Sequence, residues 1–211
     1  MGFRSGFVLG SIFFIYGVLF VTSTYDIPLI FHKPLSLDAF GRAEQFYLGL
    51  FYGPNSIKAL LHAIMGAGVL GLALKVHRWT LNDKYFGMSS IVLYVGSLVM
   101  YLSVILPNIR ALVHSSDEYY LLRAVFEHST ERASDPTMEL ILEERVSLVQ
   151  VISATNLMIA AALFGVLLLQ GGEWYAIRQD RINEDKHRRE SIAKLDGQRT
   201  DKSQRNTKKT R

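Results

Sequence analysis

Cysteine is absent from all 211 residues. Disulfides, thiolate catalysis, Cys-ligated zinc and iron–sulfur clusters are therefore excluded. Membrane thiol oxidoreductases go with them, as do tetraspan folds that need a disulfide in an outer loop. No N-x-[ST] sequon is present, so N-glycosylation cannot report topology. There is no H-E-x-x-H, no P-loop and no hydrolase-like order of Ser, His and Asp. His114, Glu118, His128 and Glu131 come nearest to a metal set. They lack a defined ligand spacing, and loop composition explains them. The expectation is a protein without catalytic residues, metal or cofactor, and without a nucleic-acid partner.

Charge is missing as well, in blocks. Residues 5–25, 59–74, 85–109 and 146–172 contain no Asp, Glu, Lys or Arg. A helix of ~20 apolar residues crosses the ~30 Å hydrocarbon core, and one charge at its centre costs ~2.5–3.5 kcal/mol on the insertion scale. Three blocks reach that length unaided. The second is extended by Ile57, Lys58, Lys75 and Val76, whose lysines can snorkel into the headgroups. The first block resembles a signal peptide only in part. Its apolar run is about twice an ordinary h-region and no A-x-A site follows, so it reads as a retained span. The fold expected is an all-α integral membrane protein with four transmembrane helices. A membrane domain of residues 1–175 holds spans at about 5–25, 57–76, 86–107 and 147–170, and a charged tail follows at 176–211.

The remaining charges set the orientation. Arg4 precedes span one, and Lys75, Arg78 and Lys84 stand against Asp83 around the short connection 77–85. The segment from Glu173 onward carries twelve Lys and Arg against seven acids, a balance of +5. The loop 26–56, extended to Lys58, is neutral with three of each sign, and the loop 108–146 has eight acids against four bases between Arg110 and Arg145. The positive-inside rule puts both termini and the short connection in the cytosol and both long loops in the lumen. Within the first loop, Leu35, Leu37, Phe40, Phe46, Tyr47, Leu50 and Phe51 recur at helical spacing between Asp38, Arg42 and Glu44. This pattern predicts an amphipathic helix lying on the membrane or capping the bundle. Tyr119 to His128 reads as a second short helix, Pro136 as a break, and residues 138–145 as a lead into span four. From about Lys186 the chain has few aliphatics and no aromatics, which predicts a disordered or loosely helical basic tail.

Gly66-Ala67-Gly68-Val69-Leu70-Gly71 spells G-x-G-x-x-G, a dinucleotide fingerprint. That motif needs a strand before it and an acid ~20 residues later. Here it lies midway along a charge-free helical block, so the glycines serve helix packing instead. Ala59, Ala63, Ala67 and Gly71 lie four apart on one face, widened by Gly66 and Gly68, and small residues let helices approach closely in lipid. The face meets either the protein's own bundle or a helix of another protein. Within the four charge-free blocks His62 is the lone histidine, and it reads as an interfacial histidine making a hydrogen bond. Ser147, Gln150, Ser153, Thr155 and Asn156 cluster in the first half of span four. They find partners either in Tyr94, Ser97, Tyr101 or Ser103 of span three, or in the polar residues of a client's helices. Trp79, Trp174 and Tyr175 are interfacial anchors. Lys208 and Lys209 match a dilysine retrieval signal, and the basic tail also suits anionic lipid.

Certain segments resemble a known family. They are "YDIPLIF" and "LSLDAFGRAEQFYLGLFYGP" after span one, "GLALKV" closing span two, "SIVLYV" in span three and "SATNLMIAAALFGVLLLQGGEWY" through span four. In these the chain resembles the fungal packaging chaperones for amino-acid permeases, the super-high-histidine-resistant family of endoplasmic-reticulum membrane proteins. The resemblance implies a non-enzymatic chaperone of the endoplasmic reticulum. Its membrane domain would shield newly inserted permease helices, its tail would engage vesicle-coat components of the COPII type, and a retrieval coat would read Lys208 and Lys209. The alternatives are a small transporter or channel subunit, which would need a polar pathway, another tetraspan scaffold, and a lipid-modifying enzyme, which would need clustered His, Asp or Glu.

Overall fold

The computed structural model describes residues 3–32, 34–76, 81–127 and 136–209, with side chains from 6–32, 34–74, 86–121 and 140–194. Among them there is helix and no strand. The helices are α1 (Phe3–Phe31), α2 (Leu37–Tyr52), α3 (Asn55–Val76), α4 (Leu81–Met100), α5 (Leu106–Glu127) and α6 (Pro136–Lys209). A π-helical turn, Tyr101–Ile105, joins α4 to α5 without a break. Four helical stretches are long and apolar enough to cross a membrane: Gly6–Phe31, Asn55–Leu74, Phe86–Leu121 and the first part of Leu140–Lys194.

The four spanning helices form a ring. Neighbours are α1 with α3, α3 with α4, α4 with α6 and α6 with α1, and across one diagonal the Tyr94 hydroxyl of α4 lies 3.5 Å from Ser11 Oγ of α1. The ring closes because each helix buries a narrow seam. In α6 one line of buried positions runs through Val149, Ile152, Asn156, Ile159, Leu163, Val166, Gln170 and Glu173, with Ser153 and Thr155 buried beside it. That line advances in steps of three and four, the spacing that keeps one stripe of a helix against its neighbours. The seam of α1 has the same rhythm through Val8, Ile12, Ile15, Thr22, Asp26 and Leu29. Lipid offers no hydrophobic drive between helices, so close packing and hydrogen bonds hold such seams together.

Two prolines explain local shape. Pro28 lies inside α1, which nevertheless runs on to Phe31. The helix is thus longer than the charge-free block that announced it, and it carries Asp26 into the bundle. Pro107 follows the π-turn by two residues. Proline removes one N–H and crowds the carbonyl four residues back, and a wider turn relieves both. The Leu106 N–H reaches the Tyr101 carbonyl, and the Asn108 side-chain amide donates to the Val104 carbonyl at 2.7 Å.

The loop expected at 108–146 is helical on both sides of its middle. α5 continues span three to Glu127, well past the expected end at 107, and α6 starts on Pro136, a residue suited to a first helical turn. Of the two expectations for the tail, disordered or loosely helical, the backbone takes the helical one: α6 is a single helix of 74 residues that runs to Lys209. Starting a helix is its costly step, and here the membrane span has already done so. Opposite charges one turn apart, such as Lys186 with Glu190 and Glu190 with Lys194, then favour propagation. His187 Nδ1 lies 3.9 Å from Glu190, and Ser191 Oγ donates to the His187 carbonyl at 2.8 Å.

Candidate functional site

At one end of the ring α2 lies across α1, α5 and α6. Ser36 caps its start, accepting from the Ala39 N–H, and its inner face buries Ala39, Phe40, Ala43, Glu44 and Tyr47. Spacing places Glu44 among apolar residues, one turn from Phe40 and one from Tyr47. The helix therefore brings a carboxylate and a phenol into the bundle.

Each meets a polar residue of a spanning helix. Tyr47 donates to the carboxylate of Asp26, which is 4% exposed. Ser153 Oγ donates to Asp26 Oδ1 at 2.8 Å, and Asn156 Nδ2 donates to Asp26 Oδ2 at 3.0 Å. Asn156 also lies 2.9 Å from the Tyr47 hydroxyl. Burial, then the charge of Asp26 and the hydrogen bond to it, push the Tyr47 phenol far above its ordinary value, against a smaller opposite pull from Ser153 and Asn156. The phenol therefore stays protonated and acts as donor. About two helical turns from Ser153 in α6, Arg145 pairs with Glu44 through Nε at 2.7 Å and through Nη2. Ser116 of α5 donates to the same carboxylate at 3.0 Å. The guanidinium lies 4.4 Å from the centroid of the Tyr119 ring.

Beneath this polar layer is a cavity of about 90 Å³ between the four spans. Tyr47 and Asn156 reach its polar end; Ile15, Met65, Ile159 and Leu163 line its apolar wall.

The expected site residues separate into groups. Ser153 and Asn156 are buried, but their partners are Asp26 and Tyr47 rather than span three. Gln150 is exposed on another face of α6. In span three, Tyr94 lies 3.2 Å from the Met65 carbonyl and 3.5 Å from Ser11, while Ser97 and Ser103 donate to carbonyls of their own helix. The small-residue face of α3 is divided. Gly68 and Gly71 are buried against α1: a Cβ on Gly68 would collide with the Tyr94 hydroxyl and Ser11 Oγ, and one on Gly71 would lie 3.0 Å from Val8 Cγ2. Ala59, Ala63 and Gly66 are exposed, and Ala67 is half-buried. His62 is exposed, its Nδ1 2.6 Å from the Lys58 carbonyl and its ring against Tyr101. Arg178 lies over Trp174. His114 and Glu118 are exposed one turn apart on α5; His128, Glu131, Arg78 and Trp79 lie outside the described residues. Lys208 and Lys209 end α6, their side chains outside the described set.

Asp26, Tyr47, Glu44 and Arg145 were not singled out as a site from the sequence, although spacing carried a signal for the first three. Asp26 continues the α1 seam, and Glu44 and Tyr47 fall on the apolar face of α2.

A ring of membrane-length helices, with a cluster of polar side chains buried at one end and a helix laid across it, defines a multi-pass membrane protein. The model of the chaperone family described as "ER membrane protein SH3" matches residues 1–210, and the chain belongs to that family. It is thus a multi-pass chaperone of the endoplasmic-reticulum membrane. No curated protein and no solved structure matches it.

Proposed function

We propose that this chaperone acts on amino-acid permeases, holding their newly inserted helices and assisting their exit from the endoplasmic reticulum without catalysing a reaction. The observation that carries this reading is family membership across 1–210, joined to a bundle whose interior holds hydrogen-bonding groups at one end. Helices awaiting assembly expose amide and hydroxyl groups, and groups of the same kind can satisfy them in lipid. The uneven distribution of Lys and Arg supports an orientation with both termini and the helical tail in the cytosol and α2 in the lumen. In that orientation the tail is available to vesicle-coat components and Lys208 and Lys209 to a retrieval coat. The exposed Ala59, Ala63 and Gly66 remain available for close approach by a client helix.

The test is removal of the protein followed by localisation of permeases. Amino-acid permeases are expected to accumulate and aggregate in the endoplasmic reticulum, with unrelated membrane cargo exported normally. Normal surface levels of permeases would overturn the reading.

A further inference from the structure

Two acids are carried into the interface beneath α2, and they are treated differently. Glu44 has a cation, Arg145. Asp26 is as deeply buried, yet among the described residues it has only neutral donors: Tyr47, Ser153 and Asn156. A carboxylate at membrane depth ordinarily marks a functional site with a partner. Two of the three donors, Tyr47 and Asn156, also line the central cavity, as does Thr22 one turn along α1 from Asp26. The cavity thus ends at a carboxylate screened by two neutral side chains.

Its size and its mouth narrow the occupant. About 90 Å³ admits the end of one long side chain, not a helix or a lipid. Leu61 of α3 and Leu98 of α4 border it and keep part of their surface exposed, so it is not sealed toward the side where a neighbouring membrane helix would lie. Tyr101, on the wall, belongs to the π-turn, a form of helix frequent at functional sites.

We propose that this cavity receives a basic side chain, lysine or arginine, from a client's transmembrane helix, and that Asp26 is its counter-charge. This rests on the client-holding reading above and assigns its site. The apolar stem of the guest would occupy the wall formed by Ile15, Met65 and Ile159. Its cationic head would displace Tyr47 or Asn156 from Asp26, exchanging a neutral hydrogen bond for a charge-assisted one. A helix carrying an unpaired cation is a poor occupant of lipid until its own partner helix arrives, so the site would protect such helices selectively.

The test uses the full chain in microsomes, with a photoreactive residue at Leu98 and reporter membrane proteins whose spans differ at one position, Lys or Leu. The Lys reporter is expected to crosslink about tenfold more than the Leu reporter, the ratio that ~1.4 kcal/mol confers. Asp26→Asn should remove that preference and leave the Leu reporter unchanged. Tyr47→Phe, which keeps the carboxylate and deletes a competing donor, should strengthen Lys capture, and it stands as the second variant if Asp26→Asn fails to accumulate. Equal capture of both reporters by the native chain would overturn the assigned site while leaving the client-holding reading intact. Capture of neither, or of lipid alone, would overturn both. A preference surviving Asp26→Asn, or unmoved by Tyr47→Phe, would also sink the proposal.

Discussion

Glu44 and Arg145, 101 residues apart in sequence, form an ion pair whose side chains are 6% and 4% exposed. The pair fastens α2 to α6. Its donors and acceptors are extended by Ser116 Oγ and covered by the rings of Tyr119 and Phe40. Removing one partner would leave the other charge buried and uncompensated.

Accordingly, Glu44→Ala or Arg145→Ala should each destabilise the folded protein by about 3–5 kcal/mol. The double substitution Glu44→Leu with Arg145→Met should cost much less than the sum, because no charge is then stranded. Arg145→Lys should recover little, since lysine cannot match the two-nitrogen grip on the carboxylate. Thermal aggregation of a fluorescent fusion in detergent, arranged as a double-mutant cycle, measures this. Additive losses would mean that the two side chains are not coupled.

Two glycines in α3 make a sharper comparison. Gly66 faces open space, whereas a Cβ on Gly68 would meet Tyr94 and Ser11. Gly66→Ala should be neutral or stabilising by about 0.5–1 kcal/mol, the helix preference of alanine over glycine. Gly68→Ala should destabilise by about 1–3 kcal/mol through overpacking. The same thermal measurement distinguishes them, and equal effects would contradict the placement of α3 against α1.

The tail supplies a third expectation, on the functional reading. Truncation before Lys186 should impair permease export while permeases remain protected from aggregation. Permease aggregation on native gels and permease transport to the surface read the two activities separately. Aggregated permeases beside a stably inserted truncated protein would show that the tail and the membrane domain do not divide the work.

The four spans were legible because charge is expensive in lipid and the sequence withholds it in blocks. The same logic hid the polar site. Asp26 ends a charge-free run, so it reads as the start of a loop, and Pro28 two residues later strengthens that impression. The step pattern Ile12, Ile15, Leu19, Thr22, Asp26 and Leu29 runs straight through it, and that periodicity was the better guide. Glu44 was similarly read as part of the wet side of α2, although its offset from Phe40 and Tyr47 puts it on the apolar side. Partners were harder to foresee than positions. Ser153 and Asn156 could have met several hydroxyls, and only the folded path of α1 past residue 25 brings Asp26 within their reach. The glycine string was read as a packing face from spacing alone. Its division into a buried half and an exposed half depends on how α3 rotates against α1 and on where Tyr94 arrives.

Because α6 is helical from the bundle to Lys209, membrane span and tail share one continuous helix. From Glu173 to Lys209 that helix extends about 54 Å. A tilt of only about 10° within the bundle would sweep its far end through about 9 Å at that length. Asn156 and Arg145 lie on that same helix, so a tilt of it at their level would move its last turn. The chain has the geometry of a pointer whose pivot is the helix bundle.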